Sequence, residues 1–175
     1  VPRRAAIREL DAPGERTLSM TLPGQVPSLY LGFNLPSLAS ADSPGDAYAL
    51  QLLSGVLDGG ISARLERDVV RKNQAAAIGS SYNVLARGDT LLEVRAVPAA
   101  GQSLQALRTA ILTVVYALRD ELVSDDELKR VMANVRAQAV YARDDLDDQA
   151  QQLGQLDALG LPLNWDDGVL AKLQA

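Results

Sequence analysis

The chain has 175 residues, of which 47 % are hydrophobic, 22 % charged and 4 % aromatic, and its formal net charge is −5. Such a composition indicates a globular domain with an aliphatic core, and the negative charge argues against a surface for nucleic acid or anionic membranes. The chain has neither histidine nor cysteine, which excludes imidazole and thiolate ligands and histidine-containing triads, so we expect no catalytic residue and no metal site within it.

The first predicted elements are two strands. Residues 17–22 alternate apolar and hydroxyl side chains, which is typical of a half-buried strand, and residues 29–35 repeat the apolar alternation. The apolar positions are Leu18, Met20, Leu22, Leu29, Leu31, Phe33 and Leu35. Pro23 and Gly24 lie between the two segments and predict a turn.

A helix pattern follows the strands. Ser43, Pro44 and Asp46 combine an N-cap, a proline at the first helical position and an acid in the first turn, which together predict where the helix begins. Gly55 interrupts this helix at a cost of roughly 1 kcal/mol relative to alanine. We therefore expect another backbone or side chain to approach the helix closely at Gly55.

A second, charged helix pattern begins after Gly60. The buried stripe that it predicts consists of Ile61, Leu65 and Val69. Two ion pairs with i,i+4 spacing are expected on its solvent side, Arg64 with Asp68 and Asp68 with Lys72.

The rest of the chain predicts two more strands and then helices. The strands cover about residues 75–85 and 90–97. Of the helices that follow, one begins at Ser103, the next begins with a capping box of Ser124 and Glu127, a third runs from about Leu146 to Gly160, and the last begins at Asn164. The order of elements predicts an α+β fold, with a largely antiparallel sheet and helices packed on one of its faces.

Two features resemble ligand sites and have a structural interpretation beside the functional one. Glycines that open a helix can bind phosphate, but Gly59 and Gly60 are not followed by the lysine and hydroxyl residue of a phosphate loop, so a corner between two helices is favoured. The acidic residues Asp144, Asp145, Asp147 and Asp148 lack the glycine and the closing glutamate of a calcium loop, which favours a solvated helix face.

The glycine corner resembles a motif of a known family. The motif is Leu-Gly-Gly-Gly-x-Ser-Ser-Arg-Leu in the second domain of the pitrilysin (insulinase) superfamily of zinc peptidases, which includes the mitochondrial processing peptidase. The matching residues here are Leu57, Gly59, Gly60, Ser62, Arg64 and Leu65. Asp58 stands in place of a glycine and Ala63 in place of a serine. The similarity extends from about residue 27 to the end of the chain. It implies that the glycines have a structural role, at a corner between two helices packed on the sheet.

The resemblance implies that the chain is part of a larger peptidase. We interpret residues 1–175 as one domain, the non-catalytic C-terminal domain of a peptidase half, preceded by a zinc domain that this chain does not contain. In that upstream domain a His-x-x-Glu-His motif would hold zinc, and its glutamate would activate the bound water. The parent would then be a zinc metalloendopeptidase acting on unfolded peptides, in which this domain supports the zinc domain and walls the peptide chamber.

One residue is expected to contact substrate through this resemblance. The family often places an arginine and, seven positions further on, a tyrosine against the peptide. Arg71 occupies the arginine position, but Ile78 occupies that of the tyrosine. This departure suits a non-catalytic domain that follows the zinc domain in an active half.

The expected partners are the upstream zinc domain, a second similar half and a peptide substrate, without nucleic acid or a membrane span. Relatives are often exported, so the periplasm is the predicted compartment, with the cytoplasm as the alternative. Two other interpretations stay open: a domain from a catalytically degenerate partner or scaffold subunit of the same superfamily, and an unrelated α+β interaction domain. The sequence upstream of this domain distinguishes the first of these from an active half.

Overall fold

The computed structural model describes residues 14–24, 26–141 and 144–164, except for the side chains of residues 139 and 140. Its elements are β1 (Leu29–Leu35), α1 (Pro44–Asp58), a π-helical segment (Glu66–Val70), β2 (Ala75–Tyr82), β3 (Thr90–Pro98), α2 (Leu104–Asp120), α3 (Asp125–Tyr141) and α4 (Leu146–Leu159). We call the segment Glu66–Val70 the π turn. The predicted helix start at Asn164 leads into residues 165–175, which lie outside the described ranges. In the described part of the chain no helix is both long and apolar enough to span a membrane.

The described strands form an antiparallel sheet in the order β1-β3-β2. In β1 the half-buried residues alternate with exposed ones, as the period of two predicts. Opposite Leu31 lies Val94 of the central strand β3, which is fully buried. The opposite face of the sheet carries the exposed ring of Tyr30, with the Arg95 guanidinium 5.7 Å from its centre. The predicted α+β fold with a largely antiparallel sheet is confirmed.

The core lies between the buried face of the sheet and the helical layer. Its buried members are Leu57, Leu65, Val69, Ala75, Leu92, Val94, Ala96, Leu107, Ile111 and Val114. The last three come from α2, where positions three and four apart lie on one face. Leu65 directly precedes the π turn and Val69 lies within it, and both side chains are buried in the core. The turn is therefore held against the core by two aliphatic side chains.

The predicted helix ends are confirmed where they rest on local capping. The hydroxyl oxygen of Ser43 accepts from the amide of Gly45, and that of Ser103 accepts from the amide of Ala106, each within the first turn of its helix. At the other end of the chain, α4 ends at Gly160, which has φ 69°. Each cap is a contact between residues two or three apart, which explains why the sequence pattern was sufficient.

The predicted strand at residues 17–22 is wrong. In the structure this segment does not belong to a strand, and Leu18, Met20 and Leu22 are 83 %, 67 % and 57 % exposed. A strand needs a neighbour to receive its backbone hydrogen bonds, and an alternating pattern cannot show whether one is present. Just before the segment, the carboxylate of Glu15 accepts hydrogen bonds from Arg108 of α2 at 2.6 Å.

The predicted position of Ile61 in the buried stripe is also wrong, since this side chain is 78 % exposed. Ile61 lies in the turn after Gly60, where the backbone is not yet helical, and the following helix is a π turn rather than an α-helix. Spacing along an α-helix therefore does not apply to this residue, whereas Leu65 and Val69 are buried as predicted.

Gly55 lies where α1 and α3 cross. A β-carbon at this position would lie 2.6 Å from Cγ1 of Val131 in α3, closer than van der Waals contact permits. The predicted close approach at Gly55 is therefore confirmed. Because valine has little rotamer freedom in a helix, it cannot move aside without displacing the helix that carries it.

Replacing Gly55 with alanine should lower the free energy of unfolding by roughly 1 kcal/mol, because overpacking against Val131 outweighs the gain in helix propensity. The matched control is Gly154→Ala in α4, where an added β-carbon meets no atom within 4 Å. That substitution should raise stability by about 0.5–1 kcal/mol. Thermal unfolding of the two variants checks the pair, and stabilisation by both would contradict the close helix crossing.

Candidate functional site

The glycine corner, residues 59–64, joins α1 to the π turn. Gly59 ends α1 with φ −88° and ψ 38°, and Gly60 has φ +111°, a conformation that residues with a β-carbon rarely adopt. The amide of Ala63 then donates to the carbonyl of Gly60 at 2.9 Å, and helical geometry resumes at Arg64. The corner thus turns the chain within five residues of the end of α1.

Side chains from other elements donate to three carbonyls of the corner. Asn134 Nδ2 lies 2.8 Å from the oxygen of Gly59, and Arg71 Nη2 lies 2.5 Å from that of Ile61. Arg130 Nη2 makes a longer contact of 3.4 Å with the carbonyl of Ser62. Asn134 and Arg130 belong to α3 and Arg71 follows the π turn, so these contacts hold the corner from two sides.

A buried ion pair connects the corner to the start of α3. Arg64 donates from Nε and Nη2 to the two carboxylate oxygens of Glu127, at 2.9 and 3.0 Å. The two side chains are only 7 % and 11 % exposed. The predicted pairing of Arg64 with Asp68 on the solvent side is therefore wrong, because the guanidinium turns inward to a carboxylate 63 residues away in the chain.

Glu127 has a second function as part of the capping box of α3. Its Oε2 accepts from both the amide and the hydroxyl of Ser124, each at 3.1 Å, while its own amide donates to the Ser124 hydroxyl oxygen at 3.3 Å. The predicted capping box is confirmed. The sequence pattern did not indicate that the same carboxylate also binds Arg64.

The environment of Glu127 stabilises its charged form. Hydrogen bonds from Arg64, followed by those from Ser124, lower the pKa of Glu127 from 4.5 to about 2, against the opposing effect of burial. The same contact raises the pKa of the Arg64 guanidinium above its usual value. Both groups are therefore charged throughout the physiological range, and the pair acts as a permanent electrostatic joint.

A second group of charges lies on the exposed side of the π turn. Lys72 Nζ lies 3.0 Å from Asp68 Oδ1, which confirms the predicted i,i+4 pair. The other oxygen of Asp68 accepts from Arg67, its neighbour in the chain, at 2.6 Å. These contacts, led by the bond from Arg67, lower the pKa of Asp68.

Beside the ion pair lies a polar cleft of about 400 Å³, which we call the arginine cleft. It is lined by the arginines Arg64, Arg67, Arg71 and Arg130, the carboxylates Glu121, Asp126 and Glu127, and the hydroxyls of Ser62 and Ser124. The structure thus brings together three of the residues named from the sequence, Ser62, Arg64 and Arg71. Leu65 faces the core instead, and Gly59 and Gly60 shape the backbone of the corner.

Arg71 lies in this cleft with one nitrogen bound to the corner carbonyl of Ile61. Its contact with substrate stays a prediction. Ile78, at the position where the resemblance expects a tyrosine, packs half-buried against the core. A residue at that place on β2 has its side chain on the helical side of the sheet, away from the exposed face.

Asp58 is a residue whose function the sequence pattern missed. Its Oδ2 accepts the backbone amide of Ser80 in β2 at 2.6 Å, and so it ties the end of α1 to an outer strand of the described sheet. Glycine, which the family motif has at this position, offers no such acceptor. The sequence feature that could have indicated this contact is an acidic residue immediately before two glycines.

The acidic cluster near the start of α4 contains a helix cap. Asp145 is the N-cap of α4, and its Oδ1 accepts from the amides of Asp147 and Asp148 at 2.8 and 3.2 Å. Across the described ranges, no three carboxylates come together in a way that could hold a metal ion.

Comparison with known proteins places these features in a family. Residues 3–135 match the family model described as the peptidase M16 inactive domain. No curated protein gave a significant match to the chain.

Solved structures share the fold. A protease from Helicobacter pylori superposes with a TM-score of 0.73 at 19 % identity, over 84 % of this chain and 34 % of that one. The inactive peptidase domain of a candidate zinc protease from Bordetella parapertussis gives 0.73 at 17 % identity, over 89 % and 80 %. A peptidase M16 inactive domain from Pseudomonas fluorescens gives 0.67 at 23 % identity, over 84 % and 34 %. The chain thus spans about a third of the length of two of these proteins.

Replacing Gly60 with valine should lower the free energy of unfolding by about 1–3 kcal/mol, because a β-branched residue is strained at φ +111° even though the space around it is open. The exposed neighbour Ile61, replaced with valine, is the control and should change stability little. Thermal unfolding measures both. An unchanged melting temperature for Gly60→Val would contradict the structural interpretation of the corner.

Replacing Glu127 with glutamine should lower the free energy of unfolding at pH 7 by about 3 kcal/mol, because Arg64 stays buried without a counter-charge. Since folding lowers the pKa of Glu127, its contribution is complete above pH 4.5 and is lost as the pH falls towards 2. The variant should therefore lack that part of the acid-induced loss of stability.

Urea unfolding between pH 7 and pH 2 measures both effects. The control is Glu93→Gln, which removes an exposed partner of Arg95 and should cost less than about 1 kcal/mol. Equal losses for Glu127→Gln and Glu93→Gln at pH 7 would contradict a structural role for the buried pair.

Proposed function

The chain belongs to the peptidase M16 family as one of its inactive domains, and from this premise we propose that it is the non-catalytic C-terminal domain of a zinc-dependent endopeptidase acting on unfolded peptides. The observation that carries the proposal is the match of the inactive-domain model to residues 3–135. In the parent protein this domain would brace the zinc domain and form part of the wall of a peptide chamber.

The chemistry of the chain supports a division of labour between two domains. Zinc in proteins is held by imidazole, thiolate and carboxylate ligands, and this chain has no histidine and no cysteine. Its described carboxylates do not gather into a metal site either. The described part of the chain therefore offers no set of residues that fits a zinc ion, and we place the metal in the upstream domain.

The glycine corner suits a bracing role. Arg64, Asp58 and the donors to the corner carbonyls tie α1, the π turn, β2 and α3 to one another over a short stretch of chain. Such cross-links hold the arginine cleft on firm elements, which is what a chamber wall that positions a peptide requires. A second similar half and a periplasmic location belong to the same proposal.

The parent protein, joined to its upstream domain and to a partner half where one is encoded nearby, should cleave unfolded peptides in a chelator-sensitive manner. A closed chamber admits flexible chains, and backbone pairing at a sheet edge gives a loose sequence preference, so several sites should be cut. The measurement is peptide cleavage with chelator and with zinc added back. Activity that is indifferent to chelator would contradict the proposal.

Two controls separate the domains. The 175-residue chain alone should cleave no peptide and retain no zinc after dialysis. In the parent, Arg71→Ala should lower activity less than loss of the upstream glutamate, which removes the base that activates water. Absence of activity with every partner present would instead favour a scaffold subunit of the same family.

A further inference from the structure

The arginine cleft has a charge opposite to that of the whole chain. Its lining contains four arginines against three carboxylates, whereas the chain has a formal net charge of −5. An anion therefore meets a larger share of cations in this cleft than over the chain as a whole. Local reversals of sign of this kind raise the concentration of an oppositely charged ligand at one place on a surface.

The four arginines differ in how far their donors are already used. Arg64 is buried and spends two donors on Glu127, so it forms the back wall of the cleft. The side chain of Arg67 is 52 % exposed, and its Nε and Nη2 bind one oxygen of Asp68. Arg130 makes a single long contact with the Ser62 carbonyl. Since a guanidinium has five N–H donors, Arg67 and Arg130 keep several for a ligand.

The spacing of two of these arginines explains why they share the cleft. Arg67 lies inside the π turn and Arg71 directly follows it. Side chains four residues apart on a helical turn lie on nearly the same side, and π turns are frequent at functional sites. Arg130 reaches the cleft from α3, and the cations thus converge from two elements.

The charged groups of the cleft are partly paired and partly screened. Glu127 and Arg64 neutralise each other, and Arg67 has Asp68, outside the lining, as its partner. Asp126 is 94 % exposed at its side chain, where solvent screens it, and its Oδ1 lies 4.0 Å from Lys129 Nζ. Glu121 remains as the negative group on the rim, and we expect it to reject a second anion beside the first.

We propose that the arginine cleft binds a carboxylate of an acidic peptide, with Arg67 and Arg130 as its specificity-determining residues. The planar fork of a guanidinium matches the two oxygens of a carboxylate, and charge-assisted pairs of this kind are the stronger hydrogen bonds in proteins. This inference rests on the proposed peptide-handling function and adds a substrate class to it. The carboxylate comes from an acidic side chain or from the C-terminus of the peptide.

Fluorescence anisotropy of labelled peptides with the 175-residue chain tests the proposal. One peptide has internal glutamates and an amidated C-terminus, a second has glutamine at those positions with a free C-terminus, and a third has glutamine and an amide. We expect one or both carboxylate peptides to bind about tenfold more tightly than the third, and to weaken as salt is raised. The first two arms distinguish the source of the carboxylate.

Substitutions identify the site. Arg67→Gln and Arg130→Gln should each remove most of the difference between carboxylate and amide peptides, while Arg136→Gln, on α3 but outside the cleft lining, should leave it unchanged. Melting temperatures of all three variants show that the fold is retained. The Ser62 contact that Arg130→Gln removes is long and exposed, so this variant is expected to fold.

Two results would overturn the inference: equal binding of all three peptides by the unaltered chain, or equal losses for the Arg130→Gln and Arg136→Gln variants. Neither result bears on the proposed function, which is tested by the chelator sensitivity of the parent protein. Conversely, a parent that is inactive in every assay leaves the peptide-binding measurement on this chain valid.

Discussion

The structure depends most on the contact between Arg64 and Glu127. A buried arginine without a counter-charge costs several kcal/mol, so the pair requires the glycine corner and the start of α3 to lie together. Because Glu127 also caps α3 through Ser124, the position of the ion pair and the first residue of the helix are set by the same carboxylate. One side chain thus determines both where α3 begins and what it packs against.

Packing and hydrogen bonds around this joint reinforce each other. Leu65 and Val69, which follow Arg64, anchor the π turn in the core, and the close crossing at Gly55 brings α1 against α3. Asp58 adds a link from the end of α1 to β2. The corner is therefore held in place by contacts to the sheet, to α3 and to the core, which leaves its arginines on a surface that is organised before any ligand binds.

The chain belongs to the peptidase M16 family as an inactive domain, and its side-chain chemistry agrees with that membership. Without imidazole or thiolate groups it offers no ligands of the kind that zinc prefers. Its described residues bring four arginines together in one cleft, and guanidinium groups can bind anions without forming or breaking covalent bonds. Under the function proposed above, such a domain would contribute by holding its neighbour and its substrate in position.

The sequence by itself determined the features that arise between near neighbours in the chain. These are the caps at Ser43, Ser103 and Ser124, the alternation of β1, and the α+β order of elements, because each rests on contacts within one turn or on one strand. Only the tertiary structure decided that Arg64 faces Glu127, that Asp58 binds β2 and that residues 17–22 form no strand. Each of these features depends on which group comes to lie opposite after folding, and in the two contacts that group is tens of residues away in the chain. The local pattern of a sequence does not indicate which distant residues come together.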